Sequence, residues 1–137
     1  LVVIGGDGSY QGAQALSRHG INTIGLPGTI DLDIACTDYT IGFDTAMNTA
    51  VEMIDKIRDT AQSHDRCSVV EVMGRHCGDV AIKAACATGA EIVLVPEVKW
   101  SIDEVAARLN KQIAKGNTRA TVVIAEGCWD SMEPFDM

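Results

Sequence analysis

Short aliphatic runs alternate along the chain with longer segments in which apolar residues recur every three or four positions. Such runs are typical of buried strands, and the longer period is that of an amphipathic helix. The alternation predicts an α/β fold, a three-layer sandwich in which helices cover both faces of a mostly parallel sheet. The predicted strands are 1–4, 23–26, 67–72, 92–95 and 121–125.

Four helices are predicted between these strands, over 9–19, from 43 to about 61, over about 78–88 and from 102 to Gly116. Ser101 and Glu104 form a capping box before the last of them, and Gly20, Gly89 and Gly116 are natural helix ends. The longest helix presents its apolar stripe at Phe43, Ala46, Met47, Ala50, Val51, Ile54, Ile57 and Ala61.

Composition limits the kinds of partner that the chain can have. Eleven basic and nineteen acidic residues give a net charge of −8, which argues against nucleic acid and against anionic membrane surfaces. No apolar run approaches the roughly 18 residues of a membrane span. The five cysteines form no CxxC pair, which favours a reducing, cytoplasmic compartment. Because Leu1 already lies within a predicted strand, we expect a fragment truncated at both ends.

Glycines, acidic residues and an arginine directly follow the predicted strands. In open parallel sheets, ligands bind at the carboxyl ends of the strands, which is where these residues are expected. Gly-Gly-Asp-Gly-Ser (5–9) suits a phosphate loop, because glycine lets backbone N–H groups approach an anion closely. Asp7 inside this loop would repel a bare phosphate but would suit Mg²⁺. A tight turn in which Ser9 is the helix N-cap is the alternative interpretation.

The loop 27–33 carries two carboxylates, and Arg75 follows the third strand. Of Asp31 and Asp33, one can accept a proton while the other binds a metal ion, and Arg75 can neutralise charge on a transferred phosphoryl group. The alternatives are local turns closed by the Asp and Thr side chains and a surface ion pair for Arg75.

With GGDGS, PGTIDLD and VMGRHCGD in this order, the chain resembles the phosphofructokinase family along its whole length. GGDG alone would be weak, since NAD kinases and diacylglycerol kinases have a similar signature. The resemblance implies a Rossmann-like phosphofructokinase fold, in which residues 1–137 are mostly the nucleotide-binding domain plus the start of the sugar-phosphate-binding domain. It also implies a homotetrameric cytoplasmic enzyme of glycolysis that converts fructose 6-phosphate and MgATP to fructose 1,6-bisphosphate and ADP.

The resemblance also implies roles for single residues. Asp31 matches the general base, Thr29 and Arg75 match contacts to the transferring phosphoryl group, and Asp7 and Asp33 match the acids around Mg²⁺. Positions that match the nucleotide site are Gly6, Asp7, Gly8, Ser9 and Gly12. Positions that match the sugar site are Thr29, Asp31, Met73, Gly74, Arg75 and Glu126, with Arg66 reaching the 6-phosphate in the neighbouring subunit. Positions that match an allosteric effector site are Arg58, Glu91 and Lys115.

Two glycines bear on the phosphoryl donor. Pyrophosphate-dependent members of the family typically have Asp at position 8 and Lys at position 28, so Gly8 and Gly28 imply ATP. Leu32 departs from the family pattern, which has Asn there, and keeps a non-catalytic nucleotide-binding or regulatory homologue as an alternative. For Arg58 and Glu91 the alternative is a surface ion pair.

Overall fold

The computed structural model describes residues 1–133 and divides the chain into two compact units, Leu1–Ala46 and Met47–Met137. Its helices and strands confirm the α/β prediction. In chain order they are β1 (Val2–Gly5), α1 (Asp7–Arg18), β2 (Ile24–Pro27), α2 (Phe43–His64), β3 (Ser68–Val72), α3 (Asp79–Thr88), β4 (Ile92–Leu94), α4 (Ile102–Ala114), β5 (Thr121–Ala125) and a 3₁₀ helix (Glu126–Ser131). Within residues 1–133, no helix is both long and apolar enough to cross a membrane.

In the first unit, β1 and β2 form a parallel pair in which Gly5 is opposite Pro27. Helix α1 packs against both strands. Val2, Ile4 and Ile24 are nevertheless exposed, so the prediction that these two strands are buried on both faces is wrong. Successive side chains of a strand point to opposite faces of the sheet, so a strand is buried on both sides only when an element packs on each face. Helix α1 packs on these two strands and leaves Val2, Ile4 and Ile24 exposed.

In the second unit, the three strands are all parallel and follow the order β3-β5-β4. Every residue of the central strand β5 is buried, so both of its faces are covered, as the three-layer prediction requires. The core beside it includes Ile54 of α2 and Ala84 of α3, with Leu109 of α4 partly buried against it. The five strands form two sheets where a single sheet was expected, because apolar patterns identify strands but not the edges that pair.

Most helix ends lie where the sequence predicts them. The hydroxyl of Ser101 caps α4 by accepting from the backbone N–H of Glu104 at 3.3 Å, and Gly89 takes the left-handed conformation after α3. Helix α1 differs, since it begins at Asp7 with Gly6 at the N-cap. The Ser9 N-cap interpretation is therefore wrong: the Ser9 hydroxyl lies back over Gly5, where a Cβ would come within 2.3 Å of it.

Helix α2 turns its predicted stripe inward over most of its length. Phe43, Ile54 and Ala61 are buried. Ile57 is 40% exposed and lines an open groove with Arg66, which corrects its assignment to the core. Helical periodicity identifies the face of a residue but does not determine how far the neighbouring element extends over that face.

Candidate active site

The N-terminus of α1 presents backbone donors directly after β1. No side chain caps this end, and the N–H groups of Asp7, Gly8 and Ser9 have no partner among residues 1–133. Unpaired N–H groups and the positive end of the helix dipole make such a terminus suited to an anion. The Asp7 carboxylate accepts a hydrogen bond from the Gln11 side chain at 2.6 Å, which holds it on the first turn.

The loop after β2 lies against this helix terminus. The N–H of Gly28 donates to the Gly5 carbonyl at 3.1 Å, and a Cβ on Gly6 would lie 3.3 Å from Cβ of Thr29. The Gly42 N–H in turn donates to the Thr29 carbonyl at 3.1 Å. These two loops therefore meet at the carboxyl edge of the β1–β2 pair.

Thr29 also closes a local turn, because its hydroxyl accepts from the N–H of Asp31 at 3.1 Å. A local turn closed by a Thr side chain is the alternative role that the sequence suggested for this loop. It places Asp31 half-buried and Asp33 exposed on the same loop. A turn and a binding role are compatible here, since the turn uses the hydroxyl of Thr29 and leaves the Asp33 carboxylate at the surface.

The carboxylates of the first unit fit Mg²⁺ by their chemistry. Asp7 and Asp33 supply hard, exposed oxygen atoms, and Mg²⁺ in proteins is commonly held by one or two carboxylates, with substrate phosphates and water as the other ligands. No group of three or more metal-binding side chains occurs within the described range 1–133. Such an ion would therefore depend on phosphate oxygens for much of its coordination.

In the second unit, the loops after β3 and β5 fit together through two glycines. Gly74 has φ +140°, a conformation that other residues rarely adopt, and a Cβ there would lie 2.5 Å from the Cys77 carbonyl oxygen. The Gly127 N–H donates to the Gly74 carbonyl at 3.1 Å, and a Cβ on Gly127 would lie 2.0 Å from the Arg75 carbonyl oxygen. This contact, with the pairing of β3 and β5, brings Met73, Gly74 and Arg75 beside Glu126.

Arg75 opens onto a cavity of about 290 Å³ at this edge of the sheet. Its guanidinium is exposed and takes part in no ion pair with residues 1–133, so the surface ion pair proposed as the alternative is not found. Sequence reasoning missed the other polar residues of the cavity, which no spacing pattern marks. They are His76, Glu97, Asp130 and Ser131.

The backbone of this cavity is fixed by hydrogen bonds from distant side chains. Glu97 accepts from the N–H of Gly78 at 2.8 Å, and the buried indole of Trp100 donates to the Cys128 carbonyl at 3.0 Å. Burial raises the pKa of the Cys128 thiol above its usual range, which keeps it protonated and unreactive. Cys128 is thus a small core residue.

The three residues matched to an effector site lie in the second unit. Glu91 accepts from the Asn117 side chain at 3.0 Å and from the N–H of Thr121 at 2.7 Å. Arg58 approaches Gly89, where a Cβ would lie 3.6 Å from its Nη1. Lys115 is the exposed C-cap of α4. The two ion pairs described in residues 1–133 are Lys56–Glu52 and Arg119–Asp65, so the suggested ion pair of Arg58 is not among them.

The predicted site residues thus form two groups, each at the carboxyl edge of its own sheet. The first group is Gly6, Asp7, Gly8, Ser9, Gly12, Thr29, Asp31 and Asp33. The second group is Met73, Gly74, Arg75 and Glu126. Arg66 lies apart from the second group, between α2 and β3.

Known proteins resemble this chain over nearly all of its length. A protein from Clostridioides difficile named ATP-dependent 6-phosphofructokinase is 61% identical over 127 residues, 93% of this chain and 40% of its own. The solved phosphofructokinase of Saccharomyces cerevisiae superposes with a TM-score of 0.81 at 38% identity, over 93% of this chain and 21% of its own. A pyrophosphate-dependent phosphofructokinase from Marinobacter aquaeolei gives a TM-score of 0.68 at 26% identity, over 93% of this chain and 36% of its own.

The chain spans about two fifths of the length of the curated relatives that it matches. A family model described as phosphofructokinase matches residues 1–135, which covers the first compact unit and all but the last two residues of the second. This match covers almost every residue, and the order of the three glycine-containing motifs agrees with it. The chain belongs to the phosphofructokinase family.

Proposed function

We propose that the full-length protein transfers the terminal phosphoryl group of ATP to the 1-hydroxyl of fructose 6-phosphate, giving fructose 1,6-bisphosphate and ADP. The curated relatives named for this activity support the proposal. In this scheme, residues 1–137 supply most of the nucleotide-binding domain and the start of the sugar-phosphate-binding domain. The assembled enzyme is a cytoplasmic homotetramer of glycolysis.

The observation that carries the proposal is the pair of glycines on α1. Gly8 and Gly12 are one helical turn apart, so they lie on one face of the helix. A Cβ at either position would meet nothing within 4 Å. Glycine inside a helix costs about 1 kcal/mol relative to alanine, and the fold gains no packing from these two. A ligand that lies closely along this face, as a nucleotide would, explains why glycine stands at both positions, because any larger side chain would occupy the ligand's space.

We assign the first group of residues to the nucleotide and to proton transfer. The phosphates bind at the N-terminus of α1, where the N–H groups of Asp7, Gly8 and Ser9 are unpaired. Asp31 takes the proton from the sugar 1-hydroxyl as its oxygen attacks the terminal phosphorus, and Thr29 contacts the transferring group. Mg²⁺, when held near Asp7 and Asp33, neutralises negative charge on the phosphate oxygens.

We assign the second group to the sugar phosphate. Arg75 stabilises charge on the transferring phosphoryl group, and Met73, Gly74 and Glu126 hold the sugar. Arg66 reaches the 6-phosphate in the neighbouring subunit's site. An effector site at Arg58, Glu91 and Lys115 stays a prediction, as does the convergence of the two groups on one phosphorus atom.

The donor is ATP rather than pyrophosphate in this proposal. Gly8 leaves open surface along α1, whereas Asp at this position would add negative charge where the phosphates bind. A Cβ on Gly28 would lie 2.7 Å from Cγ2 of Ile4, so Lys at position 28 requires Ile4 to move. Both glycines therefore favour a nucleotide. Turnover with pyrophosphate and not with ATP would reverse this assignment.

The test of the function is Asp31→Asn in the full-length protein, assayed with ATP, Mg²⁺ and fructose 6-phosphate. Loss of a general base lowers kcat by about two to four orders of magnitude while sugar affinity changes little. Asp38→Asn is the matched control, since Asp38 is an exposed aspartate of the same connection between β2 and α2, and its kcat stays at the wild-type value. Near-normal turnover of Asp31→Asn would refute the assignment. A wild type that binds nucleotide but forms no bisphosphate with either donor would support the non-catalytic alternative raised by Leu32.

A further inference from the structure

The segment 74–78 crosses the carboxyl edge of the second sheet between β3 and α3. At its start, the Gly74 carbonyl accepts from the N–H of Gly127, which follows the central strand β5. At its end, Gly78 packs against the residues that follow β4, since a Cβ there would lie 2.5 Å from Cβ of Val95. The strand order is β3-β5-β4, so the segment leaves one edge strand and reaches the other. Arg75 therefore lies between two attachments to the sheet edge.

The attachment at Gly78 is a hydrogen bond to the side chain of Glu97. Its Oε1 accepts from the N–H of Gly78 at 2.8 Å, across 19 positions of sequence. A bond from a backbone N–H to a carboxylate is roughly twice as strong as one between neutral groups. Gly78 is also the N-cap residue of α3, so the carboxylate lies at the positive end of that helix dipole. Both effects favour this contact.

The backbone of Glu97 is itself restrained. The N–H of Val98 donates to the Val95 carbonyl at 3.2 Å and closes a turn around Pro96 and Glu97, and the proline ring fixes φ within that turn. The second carboxylate oxygen, Oε2, would lie 2.8 Å from a Cβ on Gly78, so the carboxylate packs closely on this glycine. Glu97 therefore offers the end of the segment a fixed point.

Glu97 holds this backbone without pairing with the arginine that the segment carries. Glu97 and Arg75 line the same cavity of about 290 Å³, yet no ion pair joins them in the described range 1–133. Only two residues separate Arg75 from Gly78, and one of them, Cys77, is buried. A shift of Gly78 is therefore passed on to Arg75. A guanidinium on a restrained backbone suits an anion, because less freedom is lost on binding.

We propose that Glu97 is a positioning residue that fixes the end of the segment 74–78 and so holds Arg75 in place for the transferring phosphoryl group. This inference rests on the proposed function, in which Arg75 stabilises charge on that group. Glu97 contacts no substrate in this scheme and acts through the backbone of Gly78.

The test compares three variants of the full-length protein. Glu97→Ala removes the acceptor, Glu97→Asp keeps the charge on a side chain one methylene shorter, and Glu97→Gln keeps the length and an acceptor oxygen but removes the charge. We expect kcat to fall about 10-fold to 100-fold in the Ala and Asp variants, the upper value being that of a misplacement by about 1 Å. The Gln variant keeps kcat within about threefold of the wild type, because its amide oxygen still accepts from Gly78. Where the Ala variant folds poorly, the comparison of Gln with Asp decides.

Equilibrium binding separates positioning of Arg75 from a general disturbance of the site. Fructose 1,6-bisphosphate carries the transferred phosphoryl group, whereas fructose 6-phosphate does not. Glu97→Ala therefore raises the Kd for the bisphosphate by about 10-fold and changes the Kd for the monophosphate less than about twofold, because Arg75 is assigned to that group alone. A merely structural role of Glu97 would weaken the binding of both sugars.

Two further variants complete the comparison. Glu104→Ala is the matched control, since it removes an exposed glutamate of α4 in the same unit, and its kcat stays at the wild-type value. In an Arg75→Ala background, Glu97→Ala adds no further loss of kcat and no further rise in the Kd for the bisphosphate, because its effect passes through Arg75.

The outcomes distinguish this inference from the proposed function. In an active wild type, unchanged kcat in the Ala and Asp variants, rescue by Asp and not by Gln, or an equal rise in both Kd values refutes the positioning role and leaves the function intact. A wild type without turnover refutes the function, whereas a Kd for the bisphosphate that depends on Glu97 through Arg75 would still support positioning. A wild type with neither turnover nor binding of the bisphosphate refutes both.

Discussion

Replacement of Gly127 by alanine is expected to damage both stability and catalysis through a single methyl group. The new Cβ would lie 2.0 Å from the Arg75 carbonyl oxygen and 2.7 Å from its carbonyl carbon. Unbonded carbon and oxygen atoms rest at about 3.5 Å, so one of the two loops must move by more than about 1 Å. Both obstructing atoms belong to the backbone, so a side-chain rotation cannot relieve the overlap.

The magnitude follows from two effects of that movement. Overpacking of a buried site costs about 1–3 kcal/mol, and separation of the loops also weakens the hydrogen bond from the Gly127 N–H to the Gly74 carbonyl, worth about 1 kcal/mol. We expect a loss of about 2–4 kcal/mol in the free energy of unfolding. If Arg75 contacts the transferring phosphoryl group as proposed, its displacement by about 1 Å lowers kcat/KM by about 100-fold.

Urea unfolding of the full-length protein, followed by circular dichroism, measures the first effect, and steady-state kinetics with ATP and fructose 6-phosphate measures the second. Gly12→Ala is the control for stability, because a Cβ there meets nothing within 4 Å. An unfolding midpoint of Gly127→Ala within error of the wild type, together with unchanged kcat/KM, would show that the loops adjust freely and that this glycine does not position Arg75.

Two further variants test the α1 face of the proposed nucleotide site and the hydrogen bond that anchors the 3₁₀ helix. Gly12→Ala should stabilise α1 by about 0.5–1 kcal/mol, because alanine has the higher helix propensity. It should also raise the KM for ATP, because the added methyl group occupies the face assigned to the nucleotide, and leave the KM for fructose 6-phosphate unchanged. An unchanged KM for ATP would contradict a nucleotide on this face. Trp100→Phe should lower the free energy of unfolding in urea by about 1–2 kcal/mol, because it removes the buried N–H that donates to the Cys128 carbonyl. Trp129→Phe should lower it by less than about 0.5 kcal/mol, because Trp129 is 54% exposed. Equal losses in the two tryptophan variants would contradict the anchoring role of Trp100.

Residues a few positions apart were enough to predict the local elements and the strand ends at which the candidate chemistry lies. Helical period located α2, and Ser101 with Gly116 bounded α4, because caps and periodicity depend on residues only a few positions apart. The glycine-containing loops were predictable for the same reason, since a tight turn or a close backbone approach restricts the residue at that position.

Features that depend on residues far apart in the chain could be read only from the folded structure. The pairing of strands into two sheets, the exposure of Ile57 and the ion pair of Asp65 with Arg119 all depend on which elements pack together. No spacing pattern marks a contact across 54 positions, because its free energy comes from packing and charge in the folded chain.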